Sequence, residues 1–172
     1  MTVAYIGIGS NQGNRGALIR TAISHLHEIP ESRVAAVSPF YESAAITRGD
    51  AQPDFINAVI AVETVLDARK LLYHLHAIEA RMGRPLPRAK WQPRAIDLDL
   101  LAYGDRILED SDIRLPHPEI PKRLFVLLPL RDIAPGWRHP VTGESINDLI
   151  SLCSKHYSSS CVSIGPGGSF AK

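Results

Sequence analysis

The sequence predicts an α+β fold, an antiparallel sheet carrying helices, and three observations predict it. Runs rich in Val, Ile, Tyr and Phe with period-two spacing alternate with two segments of helical period. Two of the strand runs follow one another directly in the middle of the chain, with no helix between them. The resulting order, β-α-β-β-α-β, is the split βαβ pattern of ferredoxin-like folds, with both helices on one face of the sheet.

Each element has a local reason. Residues 2–8 form the first strand, stopped by the loop residues Gly9-Ser10-Asn11-Gln12-Gly13-Asn14. A helix follows over 15–27, with Leu18, Ile19, Ala22, Ile23 and Leu26 on one stripe, until Ile29-Pro30-Glu31-Ser32 breaks it. The second strand region is 34–43, and Gly49, Asp50 and Pro53 then mark a loop. The third strand is 55–62. Asp67 caps a second helix, which places Leu71, Leu72, Leu75 and Ile78 on one stripe and ends near Gly83. Residues 84–94, with Pro85, Pro87 and Pro93, are irregular. Residues 96–103 form a strand, which Gly104-Asp105 turns into a short hairpin strand at 106–108. Short helices are expected at 123–130 and 146–152. From Ser158 the chain is Ser- and Gly-rich and reads as a flexible tail, leaving a single domain over 1–157.

Composition excludes several classes of protein. With 45% hydrophobic and 22% charged residues, the 172-residue chain can bury a core of one ordinary domain. A net charge of +1 argues against a dedicated nucleic-acid binder. Two cysteines, Cys153 and Cys161, frame neither a disulfide scaffold nor a zinc site. No apolar run approaches the length of a membrane span, and no signal peptide is visible. A cytoplasmic monomer is the expectation.

The chemistry concentrates in Pro93-Arg94-Ala95-Ile96-Asp97-Leu98-Asp99-Leu100. Strand side chains alternate faces, so Asp97 and Asp99 share one face while Ile96, Leu98 and Leu100 share the other. Two strand rises separate the acids by about 6–7 Å. Carboxylates so placed can hold one hard cation or a pair of them, and Mg²⁺ with substrate phosphates is the natural occupant. A merely solvated acidic face is the alternative, and the neighbourhood weighs against it. Arg81, Arg84, Arg88, Lys90 and Arg94 precede the acids with no carboxylate among them. Cations for the outer phosphate oxygens beside acids for the metal are what a polyphosphate–Mg²⁺ complex requires. Trp91 sits in the same basic stretch, where its indole can lie over a ring substrate or simply anchor the loop, and the stretch suits a lid over phosphates, with a plain basic surface loop as the alternative. His117, between Pro116 and Pro118, can meet a phosphate oxygen or act as an acid, although a lone histidine is more often structural. Phe55 and Asn57 share a strand face, and an aromatic beside an amide suits a flat heterocycle, although core packing explains Phe55 equally well. The loop at Gly9–Gly13 lacks the ending of a Walker motif. The histidine pairs His25/His27 and His74/His76 do not share a helix face, so neither reads as a metal site.

Together these residues resemble the 6-hydroxymethyl-7,8-dihydropterin pyrophosphokinase family of folate biosynthesis over about residues 2–150. The most specific stretch runs from Arg84 through Trp91-Gln92-Pro93-Arg94-Ala95-Ile96-Asp97-Leu98-Asp99. Gly9-Ser10-Asn11, Phe40-Tyr41, Asp54-Phe55-Ile56-Asn57-Ala58, Ile78-Glu79, Pro116-His117 and Arg123-Leu124-Phe125 follow the family's order. The resemblance implies transfer of the β,γ-pyrophosphoryl unit of ATP to the pterin's hydroxymethyl oxygen, with release of AMP. It implies that Asp97 and Asp99 hold two Mg²⁺ and that Arg84, Trp91 and Arg94 share in catalysis. Glu79, Arg84, Arg88, Arg94, Ile96, His117 and Arg123 would meet ATP. Ser43, Ala44, Phe55, Asn57, Trp91 and Phe125 would meet the pterin, with its ring between Phe55 and Phe125. The chain departs from the family's pattern at Glu42-Ser43-Ala44-Ala45, at Leu86 and at Asp112, where the family carries Thr-x-Pro, an arginine and a basic residue. Two other readings compete: a ferredoxin-like RNA-binding module, which leaves Asp97 and Asp99 facing a polyanion, and a nucleotide-dependent transferase with another acceptor.

Overall fold

Strand β1 (Thr2–Ser10) lies inside the sheet because it is hydrogen-bonded on both sides, to β4 (Phe55–Thr64) and β5 (Asp97–Tyr103), both antiparallel. The computed structural model describes residues 1–44, 52–83, 95–157 and 160–166. Beyond β4 come β2 (Ser32–Val37) and β3 (Phe40–Ser43), which both pair with β4. The order β5-β1-β4-β3 is the ferredoxin-like arrangement expected from the sequence.

The single second strand expected over 34–43 is two strands. Pro39 cannot donate to a ladder, and Ser38 takes over at the break. Its N–H donates to the Val59 carbonyl at 3.0 Å, and its Oγ accepts the Val59 N–H at 2.9 Å. The hairpin expected from Gly104-Asp105 also differs. The turn is there, but β6 (Leu108–Glu109) pairs with β7 (Arg114–Leu115), not with β5. The end of the chain differs most. Residues expected to be a loose tail include β8 (Cys161–Gly165), which pairs antiparallel with β3 and extends the sheet.

Helices α1 (Arg15–Leu26) and α2 (Ala68–Arg81) pack on one face, as expected. Asn14 caps α1 by accepting the Ala17 N–H at 3.1 Å, and Asp67 caps α2 by accepting from Lys70 at 2.9 Å. Ile19, Ala22 and Leu26 of α1 and Leu71, Leu75 and Ile78 of α2 bury against Ile6, Ile60 and Leu98. The opposite face is covered as well, by α3 (Leu124–Ile133) and α4 (Ile146–His156). Helix α3 continues through Pro129, which is buried, past the boundary expected at 130. Its Val126, Leu127 and Leu130 meet Val59 and Leu101, and α4 adds Ile146, Leu149 and Cys153. With helices on both sides, β4 is buried almost throughout rather than alternating.

Candidate active site

The second helical layer does not cover its whole sheet face. Where α3 begins, the face opens into a cavity of about 560 Å³. Sheet register sets its floor. Gly9 of β1 stands between Asp97 of β5 and Asn57 of β4, and one step along the strands Gly7 stands between Asp99 and Val59. Asp97 and Asp99 therefore do share a face and line the cavity, while Leu98 and Leu100 are buried among the α1 and α2 side chains.

The cavity gathers Ser43, Ala44, Phe55, Asn57, Asp97, Asp99, His117, Arg123 and Phe125 from the predicted site residues. Two predicted residues are not among its walls. Ile96 is fully buried in the core on the α1/α2 side, so its side chain is turned away. Glu79 is 2% exposed on α2, and its Oε2 accepts the Leu98 N–H at 3.1 Å. Glu79 thus grips the backbone between the two aspartates instead of lining the cavity. Arg84, Arg88, Trp91 and Arg94 lie outside the described residues.

The glycines are what sequence reasoning missed. A Cβ on Gly9 would stand 3.0 Å from Asn57 Oδ1 and 3.4 Å from a Phe55 ring carbon. Any side chain there would project into the space between the acids and the Phe55–Asn57 pair. Glycine at alternate positions inside an otherwise β-branched strand signals such close approach, and Gly7-Ile8-Gly9 carries that signal.

Asn57 is held from behind. Its Nδ2 donates to Ser43 Oγ at 2.7 Å, with both residues buried. Ser43 lies across the β3–β4 ladder, opposite Phe55. Replacing Ser43 with alanine is expected to leave a buried amide N–H unpaired, at a cost of about 1–3 kcal/mol in a urea titration. The same variant should weaken the heterocyclic substrate's affinity while leaving maximal turnover near the native value.

Arg123 and Phe125 start α3 on the far wall, with the guanidinium 5.6 Å from the Phe125 ring centre. Arg123 Nε also stands 3.9 Å from a Glu119 carboxylate oxygen. His117 is anchored through the strand. The register of β1 against β5 shifts between Tyr5 and Ile6, which leaves Leu101 as an extra residue, and its carbonyl accepts the His117 N–H at 2.8 Å. His117 Nδ1 accepts the Glu119 N–H at 3.2 Å. Burial first, and Arg123 second, push the His117 pKa below its ordinary value. At neutral pH the ring is therefore uncharged, and with Nδ1 accepting, Nε2 carries the proton and can donate.

A second cavity, of about 270 Å³, adjoins the first. Leu72 and His76 of α2 form one wall, and Ser111 to Arg114 of the β6–β7 turn form another. Asp99 and His117 line both cavities. A binding compartment on each side of one carboxylate and one imidazole fits the joining of two substrates.

The sequence profile described as 7,8-dihydro-6-hydroxymethylpterin-pyrophosphokinase (HPPK) matches residues 5–135. The chain belongs to this family. It is 41% identical over 147 residues to the 2-amino-4-hydroxy-6-hydroxymethyldihydropteridine pyrophosphokinase of Synechocystis, covering 86% of this chain and 74% of that protein. The Pseudomonas aeruginosa protein of the same name is 38% identical, over 87% of this chain and 90% of its own length. Among solved structures, the HPPK-DHPS triple mutant of Plasmodium falciparum superposes with a TM-score of 0.69 at 16% identity. That match covers 87% of this chain but 43% of the larger one, and it bears on the fold alone.

The donor set also fits the metal that pyrophosphokinases imply. Among the described residues no group of three or more His, Cys, Asp or Glu side chains could hold an ion. Asp97 and Asp99 line the larger cavity and would supply only oxygen ligands to an ion there. Mg²⁺ favours this arrangement, taking one or two carboxylates and completing its shell with phosphate oxygens and water.

Proposed function

We propose that the larger cavity takes the pterin alcohol, that the smaller takes the nucleoside of ATP, and that Asp97 and Asp99 hold Mg²⁺ with the triphosphate where the two meet. The overall activity is that of the family, transfer of pyrophosphate from ATP to hydroxymethyldihydropterin in folate synthesis. One observation carries the assignment of compartments: Asp99 and His117 are common to both cavities.

In this reading Phe55 and Phe125 face the pterin ring, and Asn57, fixed by Ser43, meets its polar edge. The hydroxymethyl oxygen bonds to the β-phosphorus as the bond from that phosphorus to the α,β-bridging oxygen breaks. AMP leaves, and the alcohol proton passes to solvent. His117 donates from Nε2 to a phosphate oxygen, and Arg123 adds charge on the same wall. Bound Mg²⁺ supplies charge neutralisation on the phosphate oxygens. Glu79 acts through the strand, fixing the backbone at Leu98 so that both carboxylates keep their aim. Ile96, with its side chain in the core, meets ATP through its backbone. Arg84, Arg88, Trp91 and Arg94 act from the basic segment that precedes β5.

The domain is one unit that works as a monomer, and β8 carries it past the boundary expected at 157. Among the described residues no helix is long and apolar enough to cross a membrane. Both cysteines are free, which suits the reducing cytoplasm.

The test is incubation of the purified protein with ATP, Mg²⁺ and 6-hydroxymethyl-7,8-dihydropterin, with both products identified by mass. AMP and the pterin diphosphate are expected in equal amounts, and EDTA should abolish their formation. ADP with a pterin monophosphate, or full turnover in EDTA, would overturn the reading.

A further inference from the structure

Arg69 of α2 carries out a task that no part of the transfer described above assigns to it. Its Nη1 donates to both carboxylate oxygens of Asp112, at 2.9 and 2.7 Å, and its Nη2 pairs with Asp110. Both acids belong to the turn between β6 and β7, which the Asp110 N–H closes by donating to the Ile113 carbonyl at 3.0 Å. Asp112 is part of the wall of the smaller cavity. The arginine that does line that wall, Arg114, stands 3.7 Å from Glu109. Around this turn, three carboxylates therefore share two guanidinium groups.

We infer that Arg69 is a positioning residue for the nucleotide: its fork masks Asp110 and Asp112, which would otherwise repel a polyphosphate entering the cavity that Asp112 lines. The inference rests on the reading of the smaller cavity as the nucleotide side.

Three physical points support it. First, the fork is too exposed to matter much for folding, with side-chain exposures of 49% for Arg69, 51% for Asp110 and 68% for Asp112. Exposed pairs of this kind add little stability. Second, the hydrogen bonds from Arg69 hold the Asp112 carboxyl below its usual range, as expected of a carboxylate paired with a guanidinium. Third, Arg69 lies three residues before Leu72, on the helix that builds the opposite wall. The pairing thus spans the cavity's edge and takes the carboxylates' charge out of the nucleotide's path.

The experiment compares ATP KM, pterin KM and kcat for Arg69→Ala, for Asp110→Asn/Asp112→Asn, and for the triple variant, with His76→Trp to narrow the smaller cavity. Arg69→Ala is expected to raise the ATP KM on the order of tenfold at low ionic strength, with the effect shrinking near about 0.5 M salt. Pterin KM and kcat should hold. The double asparagine variant should leave the ATP KM at or below native, and the triple variant should return it to native.

A purely structural brace behaves otherwise. The asparagine pair would then harm ATP binding as Arg69→Ala does, and the triple variant would not recover; either result overturns the inference, as does an unchanged ATP KM in Arg69→Ala. His76→Trp separates the two layers. If it raises the ATP KM while Arg69→Ala does not, the role of Arg69 fails and the cavity assignment stands. If it leaves the ATP KM unaltered, both fall together.

Discussion

Alanine at Asp97 or at Asp99 is expected to cut turnover by about 10³-fold or more and to leave the folded state in place. Both carboxylates lie on the cavity side of β5, and the strand's structural side chains, Leu98 and Leu100, point the other way into the core. The loss should therefore appear in kcat and in Mg²⁺ affinity measured with a non-hydrolysable ATP analogue, while far-UV circular dichroism and the thermal melt stay native. Asparagine at either position tests charge against shape: it keeps the volume and one oxygen but removes the anion that a hard cation requires. If either alanine variant retains more than about a tenth of native turnover, a difference of barely 1.4 kcal/mol in barrier, the metal assignment is wrong.

Gly9→Val should act at the other substrate. A Cβ at this position already stands 3.0 Å from Asn57 Oδ1, and Asn57 cannot turn aside without giving up its bond to Ser43. Two further methyl groups would extend into the space between Phe55 and the aspartates. We expect the pterin KM to rise by about a hundredfold or more, since misplacement by an ångström suffices for such a loss, with ATP affinity kept. Gly7→Ala is the control, to be read beside Gly9→Ala as well as Gly9→Val. The atoms nearest a Cβ on Gly7 would be Leu101 side-chain carbons at 3.4–3.6 Å, an ordinary contact, and the variant should bind pterin within a few-fold of native. Equal effects at the two glycines would show that the register at Gly9 does not form the pterin floor.

The parts of this fold that rest on local chemistry were legible in the sequence. Asp67 caps its helix as its side chain demands, the stripe Leu71, Leu75 and Ile78 faces the core, and strict alternation in Asp97-Leu98-Asp99-Leu100 placed the acids. The parts that depend on partners distant in sequence were not. Cys161-Val162-Ser163-Ile164-Gly165 has little strand pattern of its own and lies in a Ser- and Gly-rich stretch; it is a strand because β3 offers it an edge. Leu108-Glu109 could equally have folded back on β5, and only the return of the chain at Arg114-Leu115 decides its pairing. The same limit governed the site. Phe55, Asn57, His117 and Phe125 were visible as residue types, but nothing local indicates that Gly9 stands between Asn57 and Asp97 or that Ser43 restrains Asn57. The fork from Arg69 to Asp112 joins residues 43 apart. Nor does anything local indicate that the Glu79 carboxylate accepts a backbone N–H of β5.

The added strand at the end of the chain has a consequence for the cavity wall that Ser43 forms. Because β8 satisfies the outer backbone groups of β3, the strand bearing Ser43 is interior. A protein trimmed back to the end of α4 would present Phe40–Ser43 as a raw border with unclaimed amides and carbonyls, open to zippering with a neighbouring molecule. The border that carries Ser43 is thereby shielded by a few residues near the end of the chain, although among the described residues none of them lines the larger cavity.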